Sequence, residues 1–281
     1  MDIVKSFMLE NGLFRGSYIA ADDTVNDIWN RHAYPAELRP LLCEAVLTAL
    51  ALSAGIKYKG VFSLQLKGNG PVSSLFTDIT DDKKVRAYLT LAEGADLTNR
   101  TTLPELFGQG RLIFSVAGLG QEPYQGVVAL RHDTLAEVVR DYFALSEQID
   151  TDIILRRRGN SGRCILLQRM PNKADIPEAT AADLWETVGV LLNSIQNSEL
   201  FSDKLTPDEI LFRLFHANKL TVFEPKKPMF ECRCYRGKME RFLRQMSAKE
   251  RADLYNADGV IETACQFCGE KYTFTRAELE D

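Results

Sequence analysis

The 281 residues predict an α+β fold: layered antiparallel sheets around a buried helix, followed by a helical arm and a small C-terminal four-cysteine domain. Three observations carry this. Apolar residues surround the stretch 41–56 instead of lining one side of it. Two-residue alternation recurs after it in short segments separated by Gly, Asn and Asp turns. Four of the six cysteines fall within residues 232–268. The implied division is a core over 1–174, a helical linker arm over 175–228 and a cysteine-bearing domain over 229–281.

Residues 1–30 are mixed, with Phe7, Leu13, Phe14, Tyr18, Ile19, Val25, Ile28 and Trp29 as apolar anchors. In the next stretch Leu41, Leu42, Ala45, Val46, Ala49, Leu50, Leu52 and Ile56 leave no polar face. A helix apolar on nearly all sides is a buried one. Cys43 lies on it and reads as a small core residue. Phe62, Leu64 and Leu66 then alternate with polar residues, and Gly68-Asn69-Gly70-Pro71 turns into a strand at 72–79. Val85, Ala87, Leu89 and Leu91 alternate again. This is an antiparallel meander, with further strands expected at 111–116 and 124–130. Gly118-Leu119-Gly120 reads as another hairpin turn.

Thr134-Leu135-Ala136-Glu137 is a capping box. The helix behind it is expected to reach Gln148 with Leu135, Val138, Val139, Tyr142, Phe143 and Leu145 inside. Strands at 152–157 and 164–170 follow, joined by Gly159-Asn160-Ser161-Gly162. Grouped strands with few helices between them suit α+β, not a regular βαβ alternation. Residues 175–228 change character. A helix at 181–196 presents Leu184, Trp185, Val188, Leu191, Leu192 and Ile195. A second opens at Thr206-Pro207-Asp208-Glu209, a capping box with proline in the first turn, and presents Ile210, Leu211, Leu214 and Phe215. This two-helix arm must pack on something, and its small packing area makes it less stable than the core. Pro225-Lys226-Lys227-Pro228 marks a boundary.

The last unit holds Cys232-Arg233-Cys234 and, thirty residues on, Cys265-Gln266-Phe267-Cys268-Gly269. Two closely spaced thiol pairs can enclose one tetrahedral metal. Zinc favours four thiolates, and a site with no open position is structural, not hydrolytic. A basic helix at 238–246, a short helix capped by Ser247 and strands at 260–263 and 271–274 complete the unit. So small a body depends on its metal for folding free energy. Residues 226–251 carry nine Lys/Arg against three Glu, a net of +6 in a chain of net −5. Cations near thiols favour the thiolate. Sulfurs two or three residues apart can also close on each other. The same four cysteines can therefore hold zinc when reduced and form local disulfides when oxidised, or hold a permanent structural zinc.

Composition is that of an ordinary globular protein, with 45% hydrophobic and 26% charged residues, enough for one core and a small second domain. No apolar run is long enough for a membrane span. Residues 1–5 lack the features of a secretory signal, and metal-thiolate cysteines suit a reducing compartment, so the cytoplasm is expected. No enzyme emerges. His32, His132 and His216 form no metal motif and read as structural. No Gly-x-Ser-x-Gly elbow or phosphate loop occurs. Arg156-Arg157-Arg158 lies in an alternating strand, where its members diverge.

These segments, in this order, resemble the redox-regulated heat-shock chaperones of 33 kilodaltons, a bacterial holdase family. The two cysteine pairs have that family's spacing and position. Leu211-Phe212-Arg213-Leu214-Phe215-His216 leading into Val222-Phe223-Glu224-Pro225 resembles its arm. Arg31-His32 with Tyr34-Pro35, Gly126-Val127-Val128 and Ser146-Glu147-Gln148 match its core. Tyr235, where a small residue is the expected one, and Cys164 on a core strand depart from it.

The resemblance implies one zinc ion on Cys232, Cys234, Cys265 and Cys268 in a reduced, inactive form. Oxidation would pair Cys232 with Cys234 and Cys265 with Cys268. It would then release zinc, unfold the metal unit and disorder the arm, which is expected to pack above that unit. The exposed apolar surface would hold unfolded client proteins without ATP. A homodimer and hand-over of clients to ATP-dependent foldases are also implied. Two other readings compete: a zinc-ribbon nucleic-acid-binding protein using residues 226–251, and a thiol–disulfide oxidoreductase working through Cys265 and Cys268. The second lacks the βαβ context of such enzymes.

Overall fold

A computed structural model describes residues 2–118, 124–171 and 176–280. Leu119 and Gly120 of the second expected glycine turn, and the boundary at 174/175, lie outside the described residues. The chain opens with β1 (Ile3–Leu9) and β2 (Phe14–Ala20), then α1 (Asp22–Trp29) and α2 (Arg39–Ala54). Strands β3 (Gly60–Lys67), β4 (Val72–Thr80) and β5 (Lys84–Leu91) form the expected meander. A short α3 (Leu103–Phe107) leads to β6 (Arg111–Gly118) and β7 (Tyr124–Ala129). Helix α4 (Leu135–Tyr142) precedes β8 (Thr151–Arg158) and β9 (Ser161–Arg169).

Twelve of the sixteen residues of α2 are buried, which is why it has no polar stripe. One side faces β2 and β9 through Ile19, Cys164 and Leu166. The other faces β3 to β6 through Phe62, Leu64, Leu75, Ile79 and Leu112. The helix ends at Ala54, capped by Gly55, so Ile56 lies beyond it and is exposed, contrary to expectation.

The first thirty residues hold two strands that their sequence does not announce. In β1 both faces are largely covered, so the two-residue alternation is lost. Val4 and Ile19 face α2, whereas Ile3, Phe7, Phe14 and Tyr18 face away from it. The arm covers that outer face. It consists of α5 (Glu178–Ser194), α6 (Asn197–Leu200) and α7 (Pro207–Phe215), one helix more than expected. Val188, Leu192, Leu211 and Phe215 pack there, with Phe7 and Phe215 stacked at 5.7 Å. The layers thus run sheet, α2, sheet, arm.

The capping boxes at Thr134, Thr206 and Ser247 are all present. Behind the first, α4 changes at Phe143 to a π-helical turn ending at Gln148 with φ 54°. The wider turn rotates Leu145 outward, so this residue, expected inside, is 74% exposed.

From the arm the chain crosses the molecule as a strap. β10 (Thr221–Val222) joins the edge of the first sheet beside β1, giving the order β10-β1-β2-β9-β8. Lys226 exchanges backbone hydrogen bonds with Val4 at 2.8 and 2.9 Å. β11 (Met229–Phe230) then runs parallel to β5 at the edge of the second sheet, whose order is β11-β5-β4-β3-β6-β7. Beyond it lie α8 (Arg236–Gln245), α9 (Ala248–Ala252), the hairpin β12 (Val260–Ala264) and β13 (Lys271–Thr275), and α10 (Arg276–Glu280).

Candidate metal centre and its docking face

Each cysteine pair is delivered by a different device. Pairing of β11 with β5, a hydrogen bond from the Glu231 amide to the Val85 carbonyl (3.0 Å) and the Glu231–Lys84 ion pair (2.8 Å) fix the chain up to Cys232. Cys234 follows just before Tyr235, the extended N-cap of α8. The second pair sits in the loop of the β12–β13 hairpin. There the Cys265 amide donates to the Glu270 carbonyl (2.9 Å) and the Gly269 amide to the Cys265 carbonyl (2.8 Å). Gly269 has φ +73°, so this tight knuckle requires glycine.

The four sulfurs converge. Cys232 Sγ lies 3.6 Å from Cys265 Sγ and Cys234 Sγ 3.4 Å from Cys268 Sγ, and all four lie within 4.8 Å of one another. A tetrahedral metal with bonds of about 2.3 Å to sulfur has sulfur–sulfur edges of about 3.8 Å. The cluster fits that frame with small adjustments. Among the described residues it is the only group of this kind. The Tyr272 hydroxyl donates to Cys234 Sγ at 3.2 Å, a support of the sulfur that the spacing did not signal. Burial, and then contact with the other three thiols, pushes the Cys268 thiol above its ordinary value. Four crowded sulfurs can be anionic together only when a cation shares the site.

The unit has little core of its own. Leu243, Ile261, Phe274 and Leu279 are its buried apolar residues. Arg236 lies over the Phe274 ring at 4.4 Å and pairs with Glu278.

Its docking to the core runs through the residues between the cysteines. Phe267 meets Tyr88 edge-on at 4.8 Å and Phe76 at 5.9 Å, with the Arg86 guanidinium 3.8 Å over its ring. These are outward-facing residues of β4 and β5. Arg233 reaches Asp78 at 2.7 Å. Asp78, only 4% exposed, also binds Arg86 at 2.6 Å and the Ser63 hydroxyl at 2.6 Å. The Phe267 carbonyl lies 3.3 Å from His32 Nε2. Neither Asp78 nor this face was singled out from sequence. A lone charged residue inside an otherwise uncharged strand was the available signal.

The metal unit therefore sits on the outer face of the second sheet and the arm on the outer face of the first. The expectation that the arm packs above the metal unit is corrected: the core separates them, and the strap joins them. The three histidines, expected to be structural, each have a partner. His32 stacks on Tyr34, His132 pairs with Asp141 at 3.3 Å, and His216 Nδ1 lies 3.2 Å from the Phe212 carbonyl. Arg157 binds Glu44 and Arg158 lies over Phe201, so the arginine run does diverge. Cys43 and Cys164 are buried in the core. Desolvation pushes the Cys43 thiol up to about 12 and raises that of Cys164 as well, so neither forms a ready thiolate.

Fold and cysteine cluster together define a class of protein with a layered α+β core and a C-terminal four-thiol unit. The family profile described as Hsp33 protein matches residues 2–275. This chain belongs to the Hsp33 family. It is 31% identical over 279 residues to the 33 kDa chaperonin of Nitrosococcus oceani, covering 99% of this chain and 93% of that protein. It is 32% identical to the 33 kDa chaperonin of Histophilus somni, covering 99% and 96%. The crystal structure of the 33 kDa chaperonin of Thermotoga maritima shares the fold, with a TM-score of 0.81 at 22% identity over 99% of this chain and 96% of that one. No described helix is long and apolar enough to cross a membrane.

Proposed function

We propose that this chain is a redox-regulated, ATP-independent holdase with no substrate turnover. In the reduced form Cys232, Cys234, Cys265 and Cys268 hold one zinc ion, whose binding supplies folding free energy to the C-terminal unit. The observation that carries the reading is the position of Arg233 and Phe267. They lie between the paired thiols and also hold the unit on the core.

Oxidation by a peroxide pairs Cys232 with Cys234 and Cys265 with Cys268. Each thiolate pair gives up two electrons, and each hydrogen peroxide takes them up with two protons from solvent and leaves as two waters. Contracting a pair to a sulfur–sulfur bond of about 2.05 Å re-aims the residues between the sulfurs. Arg233 and Phe267 then leave Asp78, Tyr88 and Phe76. The strap loses its anchor at β11, and through β10 the loosening reaches the arm, whose covered apolar face is that of β1, β2 and β9. Apolar surface of that extent binds unfolded clients. Homodimer formation on oxidation, hand-over of clients to ATP-dependent foldases and a cytoplasmic location belong to the same reading.

The nucleic-acid alternative is disfavoured by the engagement of the basic residues. Arg233 is spent on Asp78, Arg236 on Glu278, Arg244 on Glu240 and Arg251 on the Leu243 and Met246 carbonyls.

Light scattering from a chemically unfolded client tests the proposal. Reduced zinc-loaded protein is compared with the same protein after peroxide at raised temperature, with zinc release followed in parallel. Suppressed aggregation only in the oxidised, zinc-free sample is the expected outcome. Zinc release with unchanged aggregation would contradict it.

A further inference from the structure

A cavity of about 730 Å³ opens where the end of α2, the turn between β4 and β5, and the strap meet. Four lysines line it: Lys57, Lys59, Lys83 and Lys226. Asp81 and Glu224 are the carboxylates on its lining, which leaves a net charge of +2. Lys57 and Lys59 are exposed at the rim. The Lys226 ammonium lies 3.5 Å from a backbone oxygen, that of Asp81.

Lys83 is the unusual member. It is 3% exposed, and its ammonium donates to the carbonyl and the hydroxyl of Ser53, both at 3.0 Å and both neutral. The Tyr58 ring lies 5.3 Å from it. Burial, and then the nearby Lys226 charge, brings its pKa down to about 8, against a smaller opposing pull from Asp81. A buried ammonium whose direct hydrogen-bond partners are neutral is costly. An anion entering this cavity would remove that cost and meet the three other lysines as well.

We infer that this cavity binds a small polyanion of the phosphate class, a di- or triphosphate, either free or as the tail of a nucleotide. Lysine is a common phosphate ligand acting as a point charge. The volume falls in the range of about 300–1,000 Å³ typical of small-molecule sites. A multiply charged anion matches the net charge better than a single carboxylate does. The site also has a place in the fold's logic. Phe223, Glu224 and Lys226 of the strap form part of its lining, so a bound anion would hold the strap to the core. The inference goes beyond the holdase reading, and its test does not involve oxidation.

The test is isothermal titration of the reduced, zinc-loaded full chain with tripolyphosphate, ADP and orthophosphate, with zinc content assayed at the end. One equivalent of tripolyphosphate or ADP is expected to bind, and orthophosphate more weakly. Tighter binding of ADP would identify the nucleotide form, and tighter binding of tripolyphosphate the free form. Affinity is expected to fall at least tenfold in a Lys57→Gln/Lys59→Gln variant, whose changes are at exposed positions. It should be unaffected by Lys238→Gln/Lys249→Gln in the basic C-terminal region. Lys83→Met, checked for folding by circular dichroism, should lose binding too. Absence of binding by all three anions, or binding that survives Lys57→Gln/Lys59→Gln, would overturn the inference. So would an equal loss in the C-terminal variant, which would mark diffuse attraction.

Discussion

Helix α2 and the β12–β13 hairpin lie in the same chain and are held by opposite means. Around α2, two sheets enclose a helix with twelve buried residues, and no single contact decides its fate. The hairpin belongs to a unit with four buried apolar residues and four convergent sulfurs. The first region spreads its stability over a large area. The second concentrates it at one point that chemistry can alter. In the holdase reading proposed above, that asymmetry would let one end of the molecule be switched while the other endures. Because the docking residues Arg233 and Phe267 sit between the sulfurs, the point that stabilises the unit also positions its contact with the core.

The largest expected effect follows from removing the metal. Chelation at neutral pH, or Cys265→Ser, should withdraw an apparent stabilisation on the order of 10–16 kcal/mol from the C-terminal unit. Calorimetry and near-ultraviolet circular dichroism should show that unit melted and the core transition retained. A unit that stays folded without metal would erase the asymmetry. Next comes Asp78→Ala, which leaves the Arg86 and Arg233 guanidinia facing no carboxylate. Breaking such a buried pair costs about 3–5 kcal/mol. The expected readout is faster proteolysis within residues 229–280, with the thiol cluster still able to take zinc.

Leu50→Ala sharpens the comparison from the other side. The cavity it leaves should cost about 2–5 kcal/mol and shift the global denaturant midpoint without altering zinc affinity. The smallest effect concerns the arm. Thr206→Ala removes the cap of α7 and should cost about 1 kcal/mol, read as faster amide exchange in that helix. The Thr206 amide, and then its hydroxyl, hold the Glu209 carboxyl below its ordinary value. A lowered carboxyl stabilises the fold above the ordinary glutamate pKa, and that contribution is lost as pH falls through the lowered value. Acid should therefore loosen the start of α7, and Glu209→Gln should remove that pH dependence.

The features legible in the sequence are those with local causes. Helix α2 shows as an unbroken apolar stretch. The caps at Thr134, Thr206 and Ser247 show as paired residues three apart, and the thiol cluster shows as two short spacings with Gly269 behind them. What stayed hidden depends on partners distant in sequence. β1 and β2 lose their alternation because α2 covers one face and the arm the other. Leu145 points outward because a π-helical turn, unmarked in the residues, shifts the register. The docking of Phe267 on Phe76 and Tyr88 joins residues 191 and 179 positions apart, separations that no periodicity spans. The strap reads as a proline-flanked boundary, yet it supplies an edge strand to each of the two core sheets.

Segment-resolved hydrogen exchange on the reduced zinc-loaded chain and on the oxidised zinc-free chain tests the central claim most directly. Oxidation is expected to strip protection from residues 229–280 first and from α5 to α7 next, while α2 and strands β3 to β6 keep theirs. Protection lost uniformly, or retained throughout the C-terminal unit after zinc release, would contradict the account.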